Sequence, residues 1–213
     1  MFELFRRLKI ARAMGRLIED PTRTDEIFKL SRIGRQAKNP VGLQAMLEFI
    51  EQKRDFIDLW KSGYRPPLPT LEALRAYPTG TLGAAYYVHL NSNGLQPDFF
   101  PSEPVAGLLE FTIQRLRQTH DLWHVLVGFD TSVPGEIGLQ AFSLAQVRNV
   151  LSVVLLFGGM MHLALKSPRE LPLAMDKIVD GYTRGKAARF LLAERWEELL
   201  GESLLQARQR VGL

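Results

Sequence analysis

The sequence contains no cysteine, and that absence removes a disulfide framework, a thiolate zinc site and a thiol nucleophile from consideration. Any metal must be held by histidine and carboxylate, and histidine is itself scarce, with four in the chain. Long apolar runs are missing too. The longest, Val150 to Leu165, is interrupted by Gly158, Gly159 and His162 and falls short of the roughly 18 or more uninterrupted apolar residues of a membrane span. Alternating residues of the strand type are rare, no segment repeats, and no low-complexity tract occurs. There is no aromatic-basic platform of the kind that binds nucleic acid, so nucleic acid is not expected as a partner.

What remains is helical periodicity. A chain of 213 residues that is 46% hydrophobic can bury one sizeable core, and residues 1–213 read as a single soluble all-α domain. Residues 1–67 form N-terminal helices and a proline-rich connector, and residues 68–213 form the main body. The lack of cysteine fits a reducing compartment, so a cytoplasmic location is expected. A net charge of +4 favours acidic partners in general, among them anionic lipid and phosphorylated ligands.

The first helix places Lys9, Arg12 and Arg16 on one face and Leu4, Leu8, Met14, Leu17 and Ile18 on the broad opposite side. It reads either as a helix lying on an anionic membrane surface or as one packed on the body with a solvated basic face; both agree with peripheral membrane association. Helices are predicted over Asp25 to Leu30 and over Val41 to Lys61. The segment Ser62-Gly-Tyr-Arg-Pro-Pro-Leu-Pro69 is a connector, because proline removes a donor and holds the preceding residue extended. Thr70 caps a short helix, and Pro78-Thr-Gly-Thr-Leu-Gly83 turns into an aromatic helix around Tyr86, Tyr87 and His89.

The chemistry gathers after Pro104, where Val105 to Phe129 reads as one helix. His120 and His124 are one helical turn apart, and Asp121 is three residues from His124, so the three share one face. The chain then turns through Asp130-Thr-Ser-Val-Pro-Gly135, and Glu136 opens the next helix. A helix–turn–helix of this kind can fold Glu136 back onto the histidines. Two imidazoles and two carboxylates suit zinc, manganese or iron better than calcium, with magnesium still open. The competing reading is local: His120 and Asp121 cap and pair, and Glu136 is drawn to the helix N-terminus. His89 and His162 read either as extra acid–base groups or as ordinary core or surface histidines. Arg184, Lys186 and Arg189, near Gly181 and Gly185, form either an anion site where missing side chains admit a head group or a solvated surface. The stretch Ile137 to Leu165 reads as a long apolar helix or a helix pair. Its Leu151, Val154, Leu155, Phe157, Met161 and Leu165 line a tunnel or form the core.

His120-Asp-x-x-His124 followed by eleven residues and Glu136 resembles the signature of the ubiquinone-biosynthesis family known as Coq-four. Pro78-Thr-Gly-Thr-Leu-Gly83 resembles that family's Pro-x-Gly-Thr-x-Gly turn. Gly181, Gly185, Lys186, Ala188, Arg189, Arg195, Trp196 and Glu197 resemble its C-terminal pattern. The resemblance covers about residue 68 to the C-terminus.

It implies an all-helical bundle with a hydrophobic groove or tunnel for an isoprenoid chain. It also implies a divalent cation on His120, Asp121, His124 and Glu136, zinc first and magnesium, manganese or iron otherwise, and peripheral attachment to a membrane. The implied activity is oxidative decarboxylation, carboxyl to hydroxyl at ring carbon one, of a polyprenyl 4-hydroxybenzoate-type precursor. The alternative is a non-catalytic isoprenoid-lipid carrier, or a scaffold for other quinone-biosynthesis proteins. A homodimer is expected. This chain has Gln140 and Ser143 where the family's pattern carries Lys and Glu, which bears on the head group rather than on the metal ligands.

Overall fold

The computed structural model describes residues 2–36, 40–98 and 104–213, with side chains from Phe5 onward in the first helix. The Leu4 side chain, placed above on the apolar side of that helix, lies outside the described residues. The elements in order are α1 (Phe2–Glu19), α2 (Thr24–Arg35), α3 (Val41–Glu51), α4 (Arg54–Lys61), α5 (Leu71–Arg75) and α6 (Leu82–Ser92). They continue with α7 (Leu108–Val127), α8 (Val133–Val147), α9 (Val150–Lys166), α10 (Leu171–Ala187) and α11 (Leu204–Val211). Among the described residues no strand forms, and the extended pairing seen is a single bridge between Thr81 and Ser203. The protein is all-α, as its periodicity predicts.

The chain packs into two compact units, one of Met1–Phe49 with Ser132–Lys186 and one of Ile50–Thr131 with Ala187–Leu213. In the first, Ala13, Leu17 and Leu30 form a buried cluster against which Ile10, Met14, Ile27, Leu151, Val154 and Leu155 pack. The inward side of α1 is thus spent on α2 and α9, while Phe5 and Leu8 remain exposed. Half of the face proposed for a tunnel, Leu151, Val154 and Leu155, is partly buried against this cluster; Phe157 and Leu165 are exposed. A second cluster joins Ile137, Leu163 and Ala174. Full burial of a leucine or isoleucine is worth about 1.5–3 kcal/mol, so these clusters hold α8, α9 and α10 together. The helix pair α8–α9 turns within two residues: Arg148 takes a left-handed φ of 58°, and the Asn149 side chain accepts from the Leu151 N–H at 3.0 Å.

Gly185 fits this packing and not the reading that it opens space for a head group. A Cβ there would lie 2.7 Å from the Phe142 carbonyl oxygen and 2.9 Å from the Ala145 Cβ. The backbone of α8 fills that space, and Gln146 Nε2 donates to the Gly185 carbonyl at 2.7 Å.

The helix predicted over Val41 to Lys61 is broken at Gln52–Lys53 into α3 and α4. The reason is burial. Ile50 and Phe56 are both fully buried, yet six residues of continuous helix at about 100° each would set them about 120° apart. The break re-aims Phe56 to stack on Phe111, centroids 5.2 Å apart, and to meet Phe190 edge-on at 5.5 Å. α5 and α6 start where Thr70 and Thr81 accept from Ala73 and Ala84 N–H groups. The Pro-Thr-Gly-Thr-Leu-Gly turn has a packing cause: Gly80 has φ +89°, and a Cβ on Gly83 would lie 2.6 Å from the Tyr77 ring. α7 is shorter than predicted at both ends, because Gly107 is extended and Gly128 is left-handed at φ 78°. Arg208 donates to the Leu126 and Val125 carbonyls at 2.9 Å each, satisfying acceptors that the end of α7 leaves open.

Candidate metal centre

The last two turns of α7 carry His120, Asp121 and His124. Leu122, Trp123 and Leu126 are buried and anchor this part of the helix, which sets the rotation of the polar face between them. His124 is itself buried, at 1% exposure, and its ring meets that of His120 edge-on, centroids 5.0 Å apart. His124 Nδ1 lies 3.0 Å from the Phe129 carbonyl oxygen. A carbonyl only accepts, so Nδ1 carries the proton and Nε2 of the neutral ring carries the lone pair, the tautomer that binds a cation.

Glu136 stands in the first turn of α8, whose start is set by Ser132. The Ser132 hydroxyl accepts from the Gly135 N–H at 3.2 Å, and the Glu136 N–H donates to the Ser132 carbonyl at 2.8 Å. One ligand-type atom each from His120, His124 and Glu136 lies within 4.8 Å of the others. A tetrahedral cation about 2.0–2.1 Å from each donor would hold donors about 3.4 Å apart. Two imidazoles and one carboxylate are donor types that zinc takes, and three protein donors would leave the fourth position of a tetrahedral ion for a substrate oxygen or water.

Asp121 is not in that group of three. Its Oδ1 faces His89 Nε2 at 4.0 Å, and the His89 ring lies nearly parallel to the His124 ring, centroids 5.1 Å apart and planes at 22°. His89, read from the sequence as either an extra acid–base group or an ordinary histidine, thus stands beside the candidate ligands. The signal for it was its spacing: it sits three residues after the buried Tyr86 and one before the buried Leu90 on α6. Burial, followed by the carboxylates of Asp121 and Glu197, pushes the Tyr86 phenol well above its ordinary range, so its hydroxyl stays protonated. His162 fits the plainer of its two readings, its Nδ1 lying 2.8 Å from the Ile18 carbonyl.

Beneath the histidines, Arg115 is buried at 1% exposure and pairs with Glu197, while its other nitrogen donates to the Glu194 carbonyl at 2.8 Å. The Tyr64 hydroxyl donates to the second Glu197 oxygen at 3.1 Å, and the Arg195 guanidinium lies over the Tyr64 ring at 4.6 Å. The proline-rich connector and the Arg195-Trp-Glu197 segment are thereby tied to α7. Of the basic residues named from the sequence, Arg184 pairs with Asp180 at 3.4 Å, Lys186 lies over the Tyr182 ring at 5.8 Å, and exposed Arg189 donates its backbone N–H to the Val211 carbonyl.

These features define an all-α protein with two histidines one helical turn apart at the end of α7 and a carboxylate in the first turn of α8. Residues 7–213 match the family described as Coenzyme Q (ubiquinone) biosynthesis protein Coq4, and the chain belongs to that family. The match reaches far closer to the N-terminus than the motifs read from residue 68 onward. Among curated relatives, the chain is 25% identical over 201 residues to the mitochondrial ubiquinone biosynthesis protein COQ4 of Laccaria bicolor, covering 92% of this chain and 65% of that protein. It is 27% identical to the Bos taurus COQ4 homolog, over 97% of this chain and 77% of that one. The chain thus spans about two thirds to three quarters of those relatives' lengths. A crystal structure of a Nostoc punctiforme protein, assigned provisionally to ubiquinone biosynthesis, superposes with a TM-score of 0.82 at 30% identity and covers 96% of each chain.

Proposed function

We propose that this protein holds a divalent cation, zinc first, on His120, His124 and Glu136 with Asp121 beside them. In this reading it acts on a prenylated 4-hydroxybenzoate-type precursor in quinone synthesis, exchanging the carboxyl at ring carbon one for hydroxyl. The observation that carries the reading is the grouping of two imidazoles and a carboxylate within 4.8 Å in a chain of the Coq4 family. A bound cation supplies a Lewis acid that anchors and favours an ionised phenol or carboxylate. Written with water as the source of the hydroxyl oxygen, the exchange releases carbon dioxide, two protons and two electrons, which pass to dioxygen or another two-electron acceptor. His124 is itself buried, and away from bulk water the pull of a cation on an oxyanion is stronger than in water.

A second reading is a carrier or scaffold without turnover, in which the cation only holds the head group. The exposed Val153, Phe157 and Leu165 on α9 and Val179 and Tyr182 on α10 favour it, since apolar surface of this kind meets lipid or protein partners. No helix among the described residues is long and apolar enough to cross a membrane. Attachment at the membrane surface through the basic first helix accords with both readings.

The deciding experiment extracts purified protein for prenylated lipid by mass spectrometry, with metal analysis of the same sample, and compares it with His120→Ala/His124→Ala. Stoichiometric metal lost in the variant, followed by formation of the hydroxylated product and carbon dioxide from a prenylated aromatic acid, is the expected result. Lipid and metal retention without turnover selects the carrier; neither after reconstitution overturns both readings.

A further inference from the structure

His89 is the fourth member of the polar cluster and lies outside the cation-binding group that the motif describes. Its ring nearly parallels that of His124 at 5.1 Å between centroids, and its Nε2 faces Asp121 Oδ1 at 4.0 Å. Its side chain is 11% exposed and that of Asp121 is 16% exposed. The placement follows from α6: Tyr86 and Leu90 are buried on either side of His89 in sequence, and Thr81 fixes where the helix begins.

We propose that His89 is a positioning residue of the cation site, packing against the His124 ring and orienting the Asp121 carboxylate through its Nε2. The proposal rests on the cation reading given above. His124 is then held on two sides, by the Phe129 carbonyl at Nδ1 and by the face of His89. Asp121 faces His89 Nε2 from a different helix at 4.0 Å, longer than a hydrogen bond, so a small approach of the two side chains would let His89 direct the carboxylate. Groups that orient ligands without touching the cation commonly change metal affinity about 10–100-fold, because a ligand free to rotate must be ordered when the cation binds.

The test uses cobalt(II) as the probe, since its visible absorption reports both occupancy and the geometry of its donors. His89→Phe keeps a flat ring against His124 and removes the nitrogen facing Asp121; His89→Gln returns an N–H donor without the ring. Wild type and both variants are titrated with cobalt(II), in chains with Asp121 and with Asp121→Asn. His89→Phe is expected to weaken cobalt binding about tenfold and to alter the absorption bands. His89→Gln should recover part of the affinity, and the His89→Phe effect should vanish in the Asp121→Asn background. A folded His89→Phe protein with wild-type affinity and spectrum overturns the proposal, as does an equal loss in both backgrounds. If His89→Phe does not fold, the His89→Gln comparison across the two Asp121 backgrounds decides by the same criterion. Wild-type protein that takes up no cation defeats the cation reading itself and this inference with it; uptake by wild type with no effect at His89 defeats this inference alone.

Discussion

His124 Nδ1 and the carbonyl oxygen of Phe129 lie 3.0 Å apart across the end of α7, so the orientation of a candidate ligand depends on where its helix stops. Gly128, left-handed at φ 78°, makes that stop and returns Phe129 toward the ring. His124→Ala should therefore have two effects. Zinc affinity should fall by more than the roughly 10–100-fold typical of outer groups, and the buried carbonyl left without its donor should cost about 1–3 kcal/mol of stability. His120→Ala, at a half-buried position without that bond to Phe129, should lose zinc with a smaller stability change. Zinc titration and urea unfolding of both variants check this; wild-type zinc affinity in His124→Ala would count against the site.

The Arg115–Glu197 pair makes a separate prediction about stability. Arg115 is buried and Glu197 is 14% exposed, and removing one partner of a buried ion pair leaves the other uncompensated, at a cost of about 3–5 kcal/mol. Arg115→Met should lower the urea midpoint strongly. Adding Glu197→Gln should recover part of the loss, giving a coupling between the two sites. Additive losses in the double variant would show that the pair is not the unit that matters.

Glu26 predicts a pH dependence. Hydrogen bonds from Arg16 at 2.7 Å and Lys29 at 3.0 Å hold its carboxyl below the ordinary carboxylate range, the Arg16 bond being the largest cause. A carboxyl whose folded value is depressed contributes stability that is fully present above its unfolded value and is lost as pH falls through the folded one. Melting temperature measured from neutral pH down through the acid range should fall less steeply for Glu26→Gln than for wild type, with the variant less stable at neutral pH. Parallel curves would assign the acid loss to other groups.

The readable part of this protein was the part set by local spacing. The i and i+4 histidines, the cap at Thr70 and the Pro-Thr-Gly-Thr-Leu-Gly turn are all decided within a few residues, and the structure has them; α8 begins at Val133 after the Ser132 cap, three residues before the Glu136 start read from the sequence. Less readable were features set by partners distant in sequence. The break between α3 and α4 exists because Phe56 must reach Phe111 and Phe190, which no window around residue 52 contains. His89 joins His124 and Asp121 from 35 and 32 residues away, with only its place between Tyr86 and Leu90 to mark it as inward. Asp121 shows what spacing leaves open: its three-residue separation from His124 puts it on the histidine face of α7, and its carboxylate also faces His89 from another helix.

Two glycines, both within helices, should respond to alanine in opposite directions. At Gly15, in the C-terminal part of α1, an added Cβ meets nothing within 4 Å, so Gly15→Ala only removes freedom from the unfolded chain and should stabilise by about 0.5–1 kcal/mol. At Gly185 the same atom would lie 2.7 Å from the Phe142 carbonyl oxygen and 2.9 Å from the Ala145 Cβ. Neither neighbour is the end of a flexible side chain, so α8 and α10 must move apart, and overpacking of this kind costs about 1–3 kcal/mol. That separation would also strain the 2.7 Å bond from Gln146 to the Gly185 carbonyl. Urea unfolding of the two variants beside wild type reads both signs at once. A stabilised Gly185→Ala protein would mean that the two helices are not packed as closely as described.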